Sequence, residues 1–130
     1  MLVLDSYAWV EYFLGSEKGE VVRTYLSREP VATPDIVLAE VARKYLREGV
    51  AGTEVKKRLY FIAARSEIET LDADLGLAAA EAWQELATKA TKKPRPSLSD
   101  GIVLAAARNR GARVLTGDVH FEGLKEAIML

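Results

Sequence analysis

The chain has 130 residues, 49% of them apolar and 28% charged, which is the composition of a globular protein and excludes a disordered or collagen-like one. Lys and Arg number 18 and Asp and Glu 19, so the formal charge of -1 favours neither nucleic acid nor a membrane surface. The lack of cysteine excludes a disulfide framework, a thiolate nucleophile and a Cys-ligated zinc, and the single histidine excludes a His-rich metal site.

The length favours a single domain spanning residues 1–130, since domains commonly have ~100–200 residues. No run approaches the ~20 apolar residues of a membrane span. The first residues also lack the basic and apolar regions of a signal peptide. We therefore expect a cytoplasmic protein with no membrane partner.

In the first half of the chain, short apolar runs alternate with longer stretches of helical periodicity. Strands are predicted at residues 2–4, where Asp5 stops the run, and at residues 31–32. Helices are predicted at residues 6–15, 17–28, 34–48 and 52–65. For the third helix, Thr33 is the expected N-cap and Pro34 the first helical residue.

The second half continues the alternation. Strands are predicted at residues 68–71 and 113–116, with a terminal edge strand at residues 127–130. Helices are predicted at residues 73–88 and 98–109, the second opening with a capping box at Ser97 and Asp100. Strands alternating with helices predict an α/β fold: a parallel sheet of four to five strands, flanked by helices in a three-layer α/β/α sandwich.

Four acidic residues are expected near one edge of this sheet. Asp5 ends the first strand, Glu40 lies in the helix after the second, Asp100 is in the first turn of the helix before the fourth, and Asp118 follows the fourth. Open α/β sheets bind ligands outside the carboxyl ends of their strands, where the strand order reverses. The four side chains are therefore candidates for one site.

Each acid also has a structural interpretation. Asp5 could cap a helix, Asp100 could interact with a helix dipole, and Asp118 could be a turn residue. Glu40 is the only charged residue in the apolar run 36–42, which predicts a helix buried on all sides. A buried carboxylate must be protonated, bound to a metal or paired, for example with an arginine.

Taken together, the acids indicate a cation site. Two carboxylates ~4 Å apart repel by about 4 kcal/mol at an effective dielectric of about 20, so a cluster requires compensating positive charge. Oxygen ligands suit Mg²⁺ or Mn²⁺. Either ion can activate water and stabilise an in-line displacement at phosphorus.

Four segments of the chain resemble the PIN domain, in particular the small VapC-type toxins of toxin–antitoxin pairs. These segments are LVLDS at 2–6, PDIVLAEV at 34–41, LSDGIVLAAA at 98–107 and VLTGDVHF at 114–121. The resemblance implies a PIN-like fold and a metal-dependent endoribonuclease that leaves a 5′-phosphate and a 3′-hydroxyl. It also implies a cognate antitoxin and a homodimer.

For the site, the resemblance implies Mg²⁺, replaceable by Mn²⁺, held mainly by Asp5 and Asp100, with Glu40 and Asp118 completing the catalytic acids. Ser6 and Thr116 match positions where the family places supporting hydroxyls. One departure is Gly101, which follows the third acid where the family frequently has alanine.

Basic residues near the acids are candidates for RNA binding, although a solvated surface is an equal alternative. They are Lys92, Lys93 and Arg95 in the loop before Asp100, and Arg43 after Glu40. His120 follows Asp118 by two residues, and an ordinary surface or turn role is expected for it ahead of a role in proton transfer.

Other functions remain open at this stage. A receiver-like signalling module also has an acidic Mg²⁺ pocket on a parallel sheet, but it needs paired acids after its first strand, where this chain has Asp5 alone. The hypothesis of a phosphatase of the haloacid dehalogenase type has less support, because Asp5-Ser6-Tyr7 lacks the second Asp of that motif. An inactive, RNA-binding PIN homologue is the third alternative.

Overall fold

The structure is a computed structural model that describes residues 1–91 and 94–130. Within these residues the strands are β1 (Leu2–Leu4), β2 (Val31–Pro34), β3 (Glu67–Glu69), β4 (Arg113–Thr116) and β5 (Ala127–Met129). The helices are α1 (Ser6–Leu14), α2 (Glu17–Arg28), α3 (Asp35–Arg47), α4 (Gly52–Arg65), α5 (Ala73–Lys89) and α6 (Leu98–Arg110), followed by a short 3₁₀ helix (Val119–Phe121). In the described part of the chain, no helix is both long enough and apolar enough to cross a membrane.

The five strands form one parallel sheet in the order β3-β2-β1-β4-β5, which confirms the predicted sheet and its terminal edge strand. β1 is central: Val3 lies opposite Ala32 of β2 and opposite Val114 of β4. A receiver-like sheet has the order 2-1-3-4-5. The receiver-like alternative is therefore wrong.

Helices cover both faces of the sheet. The connections from β1 to β2 and from β2 to β3 run one way across the sheet, and the connection from β3 to β4 runs back. Right-handed crossovers in opposite directions place their helices on opposite faces, so α1 to α4 cover one face and α5 and α6 the other. The contacts agree, since α1 packs against α2 and α3, α3 against α4, and α5 against α6. The predicted α/β/α sandwich is confirmed.

The core differs from the prediction at Thr33. This residue does not cap α3 but lies fully buried in β2, where its Oγ1 accepts a hydrogen bond from Trp9 Nε1 at 3.0 Å. The Thr33 hydroxyl in turn donates to Ser66 Oγ at 2.9 Å. Pro34 takes the N-cap position without a side-chain hydrogen bond. Hydrogen bonding to buried tertiary partners therefore outweighs the local capping preference of threonine.

The helix pair α5 and α6 is in very close contact at Gly101. A Cβ atom added there would lie 2.5 Å from the carbonyl oxygen of Ala79 and 2.8 Å from Cβ of Trp83. Trp83 also donates from Nε1 to the Pro96 carbonyl at 2.9 Å, next to the start of α6. The glycine that departs from the family pattern is thus the residue that lets the N-terminus of α6 approach α5.

Candidate active site

The strand order reverses between β1 and β4, and the predicted acids lie at the carboxyl ends of these two strands. Asp5 follows β1, and Asp118 lies two residues beyond β4. Asp100 is in the first turn of α6, the helix that leads into β4. Asp5, Glu40, Asp100 and Asp118 all line one cavity of about 760 Å³.

Asp5 is both a helix cap and a cavity residue. Its Oδ1 accepts a hydrogen bond from the backbone N–H of Ala8 at 2.9 Å, which caps α1, and its Oδ2 accepts one from the Thr116 hydroxyl. The pKa of Asp5 is raised to about 7, chiefly by burial; the hydrogen bonds from Thr116 and Ala8 oppose this rise, and the charges of Asp118 and Asp100 add to it. The capping interpretation therefore does not exclude a role in the site.

Asp100 likewise belongs to a cap and to the cavity. Its Oδ2 accepts from the backbone N–H of Ser97 at 2.9 Å, and its own N–H donates to Ser97 Oγ at 3.2 Å, which confirms the predicted capping box. Burial, followed by the charge of Asp118, raises the pKa of Asp100 to about 6. The shift therefore reflects mainly the loss of solvent around Asp100 and, second, repulsion by the nearby carboxylate of Asp118.

Asp118 is held by its neighbours on both sides. Its backbone N–H donates to Thr116 Oγ1 at 3.0 Å, and its Oδ1 accepts from the backbone N–H of His120 at 2.9 Å, capping the 3₁₀ helix. Thr116 thus contacts both Asp5 and Asp118, while Ser6 lines the cavity. Among the candidate hydroxyls, Thr116 has the structurally defined supporting contacts.

Glu40 differs from the prediction in its burial. The side chain is only partly buried, and the neighbouring Ala39 is exposed, because α3 lies on the outside of the sandwich and not in its centre. No ion pair to Glu40 is found within residues 1–91 and 94–130, so the arginine pairing considered for it is not observed there. Glu40 instead lines the cavity shared with the three aspartates.

Basic side chains line the same cavity as the acids. Arg43 and Arg47 project from α3, and Arg95 lies in the loop before α6, where its Nη2 also donates to the Ala87 carbonyl at 3.3 Å. Lys92 and Lys93 lie outside the described residues. The cavity therefore combines carboxylates that attract a cation with guanidinium groups that attract phosphate.

His120 contributes more to the cavity than the surface or turn role expected from the sequence. It lines the cavity, and its ring and the carboxylates of Asp100 and Asp118 offer ligand atoms that all lie within 4.8 Å of one another. Its Nδ1 is buried and has no hydrogen-bond partner among the described residues. Three converging donors, one of them an orphaned buried nitrogen, fit a divalent cation. The spacing Asp-x-His after β4 was the available signal.

Comparisons with known proteins agree with this fold. The family model described as PIN domain matches residues 2–127. No curated protein matches the sequence. The structure resembles a toxin–antitoxin complex chain from Klebsiella pneumoniae, at 17% identity with a TM-score of 0.75, covering 99% of this chain and 97% of that one.

Two further solved structures are similar. VapC20 of Mycobacterium tuberculosis, a toxin that cleaves the sarcin-ricin loop, is 18% identical with a TM-score of 0.74, covering 97% of this chain and 96% of that one. A chain of the DNA-bound VapBC complex of Salmonella typhimurium is 20% identical with a TM-score of 0.71, covering 99% and 96%. The family model matches nearly the whole chain, over a span that includes all four acids of the cavity, and the chain therefore belongs to the PIN domain family.

Proposed function

We propose that the chain is a metal-dependent endoribonuclease that hydrolyses RNA phosphodiester bonds with Mg²⁺, which Mn²⁺ can replace. The observation that carries this proposal is the convergence of Asp5, Asp100 and Asp118, with the pKa values of Asp5 and Asp100 raised to about 7 and about 6. Burial is the main cause of both shifts, and the neighbouring carboxylates add to them. The charged forms of these acids therefore need compensating positive charge, which a divalent cation supplies.

In this proposal, Asp5 and Asp100 are the main ligands of the cation, and Glu40 and Asp118 complete the catalytic acids. The cation, when bound, supplies positive charge that stabilises the transition state of an in-line displacement at phosphorus. Thr116 holds Asp5 and Asp118 in place through its hydroxyl, and Ser6 supports the same end of the cavity. Water attacks phosphorus, and the products carry a 5′-phosphate and a 3′-hydroxyl.

The RNA backbone binds along the basic residues of the cavity. Arg43, Arg47 and Arg95 line it, and Lys92 and Lys93 precede Arg95 in the sequence. Lys44, by contrast, is engaged with Glu48 at 2.7 Å. Guanidinium groups suit bidentate contact with phosphate oxygens, so the arginines are the stronger candidates.

The physiological role we propose is that of the toxin in a VapBC-type pair, with a cognate antitoxin and a homodimeric state. Support comes from the similar chains in the Klebsiella pneumoniae toxin–antitoxin complex and the Salmonella typhimurium VapBC complex. Co-expression with a protein encoded beside this chain should yield a stable complex with no nuclease activity. Light scattering of the purified chain tests the dimer.

The central experiment is cleavage of a labelled single-stranded RNA by pure protein with Mn²⁺, with Mg²⁺ and with EDTA. We expect cleavage with either metal, none with EDTA, and loss of activity on Asp100→Asn substitution. Asp74→Asn is the matched control, since it removes an exposed acid outside the cavity. Metal-independent cleavage, or equal activity of both variants, would contradict the proposal. Folded, RNA-binding protein without cleavage would favour an inactive homologue.

A further inference from the structure

The single histidine of the chain is held between a backbone carbonyl and two carboxylates. His120 Nε2 lies 2.7 Å from the carbonyl oxygen of Pro94. On the other side of the ring, Nδ1 lies 2.8 Å from Oδ1 of Asp118 and 3.6 Å from Oδ2 of Asp100. Only 12% of the side-chain surface is exposed. The ring therefore has a fixed place in the wall of the acidic cavity.

The Pro94 carbonyl determines which ring nitrogen carries hydrogen. A carbonyl oxygen only accepts hydrogen bonds, so the 2.7 Å contact requires the hydrogen on Nε2. In the neutral ring, Nδ1 then has a free lone pair. This is the arrangement of metal-binding histidines, which usually donate their second ring N–H to a backbone carbonyl or a carboxylate.

Two carboxylates lie close to Nδ1. Oδ1 of Asp118 is 2.8 Å from it and Oδ2 of Asp100 is 3.6 Å from it, yet no described residue forms a hydrogen bond with this nitrogen. With the ring hydrogen on Nε2, Nδ1 and the carboxylate oxygens are all acceptors and cannot hydrogen-bond to one another. Acceptors brought this close together are the arrangement of ligands that share one cation.

We propose that Nδ1 of His120 is a direct ligand of the divalent cation, together with the carboxylates of Asp100 and Asp118, and that the Pro94 carbonyl fixes the ring for this purpose. The inference rests on the proposed metal-dependent function and adds His120 and Asp118 to the ligands named there. With His120 the cation has both a nitrogen ligand and oxygen ligands. The nitrogen ligand shifts the selectivity of the site from Mg²⁺, which prefers oxygen, toward Mn²⁺ and later first-row metals.

Two substitutions separate the roles of the two ring nitrogens. His120→Gln places an amide N–H group near Nε2, where it can still donate to Pro94, but offers no nitrogen lone pair in place of Nδ1. His120→Asn places an amide oxygen near Nδ1 and loses the contact with Pro94. Comparing the two distinguishes loss of a ligand from loss of the loop contact.

The test measures binding of Mn²⁺ alone and of Mg²⁺ alone to tag-free protein by calorimetry, and the electron spin echo spectrum of bound Mn²⁺. Because the chain has one histidine, an imidazole ¹⁴N coupling in this spectrum identifies His120. We expect the coupling in the wild type and not in His120→Gln. The same variant should raise the Kd for Mn²⁺ by about tenfold or more and the Kd for Mg²⁺ by less than about threefold. His120→Asn should also lose the coupling, but it should retain more affinity for Mn²⁺ than His120→Gln does.

Three results would overturn the inference. One is a wild type that binds Mn²⁺ without imidazole coupling, and a second is equal loss of both metals in His120→Gln. The third is unchanged Mn²⁺ binding in His120→Gln, together with loss of Mn²⁺ binding in Asp100→Asn. This third result would contradict the inference but not the proposed function. If the wild type binds neither metal, the proposed function fails together with the inference.

Discussion

The hydroxyl of Thr116 donates a hydrogen bond to Oδ2 of Asp5, although the two residues lie 111 positions apart in the sequence. Oγ1 of Thr116 also accepts a hydrogen bond from the backbone N–H of Asp118 at 3.0 Å. Thr116 is completely buried at the end of β4. One hydroxyl therefore connects the carboxyl ends of the two strands between which the acidic cavity opens.

Replacing this hydroxyl should affect both stability and the acid it contacts. We expect Thr116→Val to lower the free energy of unfolding by about 1–3 kcal/mol, because it removes the hydrogen-bond partner of Asp5 Oδ2 and of the Asp118 N–H. The pKa of Asp5 should rise further, since the Thr116 hydrogen bond lowers it. Urea unfolding and a carbon NMR titration of Asp5 measure the two effects. Thr116→Ser keeps the hydroxyl and should show much smaller changes in both, whereas equal behaviour of the two variants would refute this role.

The raised pKa values of Asp5 and Asp100 predict the pH dependence of stability without metal. The folded state holds these two protons up to about pH 7 and about pH 6, whereas the unfolded chain releases them near pH 4. The folded state thus binds more protons within this window, so stability falls as pH rises from about 4 to about 7 and then levels off. The pKa values of Glu67 and Glu85 are lowered by arginine partners, so these carboxylates change the stability only below about pH 5, where stability falls as the pH is lowered.

Denaturant unfolding in EDTA between about pH 5 and pH 8 measures the slope of the free energy of unfolding against pH. We expect Asp100→Asn to reduce the slope and to raise the Tm of the metal-free protein, since an amide oxygen can still accept from Ser97 while the repulsion with Asp118 is relieved. Glu81→Gln, at an exposed site on α5, should leave the slope unchanged. A clear destabilisation by Asp100→Asn would instead mean that capping dominates at this position.

Alanine substitution should change the free energy of unfolding in opposite directions at Gly101 and Gly76. Gly101→Ala places a methyl group 2.5 Å from the Ala79 carbonyl oxygen, so we expect it to lower the free energy of unfolding by about 1–3 kcal/mol through overpacking. Gly76 lies in α5 with open space around its Cα, and Gly76→Ala should stabilise by up to about 1 kcal/mol through helix propensity. Thermal and urea unfolding of both variants measure the difference, and a Gly101→Ala protein as stable as the wild type would contradict the close helix contact.

Arg43 should contribute to RNA binding through phosphate contact. We expect Arg43→Gln to weaken binding of single-stranded RNA similarly for all sequences and to reduce the slope of log Kd against log salt by about 0.7. Binding is measured in Ca²⁺ or with Asp100→Asn protein so that cleavage does not intervene. Arg28→Gln removes an exposed arginine outside the cavity and should leave the slope unchanged. An equal change in both variants would indicate only a bulk charge effect.

Features set by neighbouring residues could be predicted from the sequence, and those set by distant contacts could not. The apolar run of β1 and the Ser97–Asp100 capping box depend on residues within a few positions, and both were predicted correctly. Thr33 has a capping preference as well, but its buried partner Trp9 lies 24 positions away and decides its role. The Asp-x-His spacing places His120 near Asp118, but the contact that fixes its ring comes from Pro94, 26 positions away, and could not be predicted from local sequence.

The position of β1 at the centre of the sheet has a consequence for synthesis of the chain. Asp5 is synthesised more than a hundred residues before the partner strand β4, which begins at Arg113 and ends at Thr116. Until β4 pairs with β1, the hydroxyl of Thr116 and the carboxylate of Asp118 are missing from the cavity. A nascent chain therefore cannot assemble the acidic cluster until the residues through Asp118 have been synthesised.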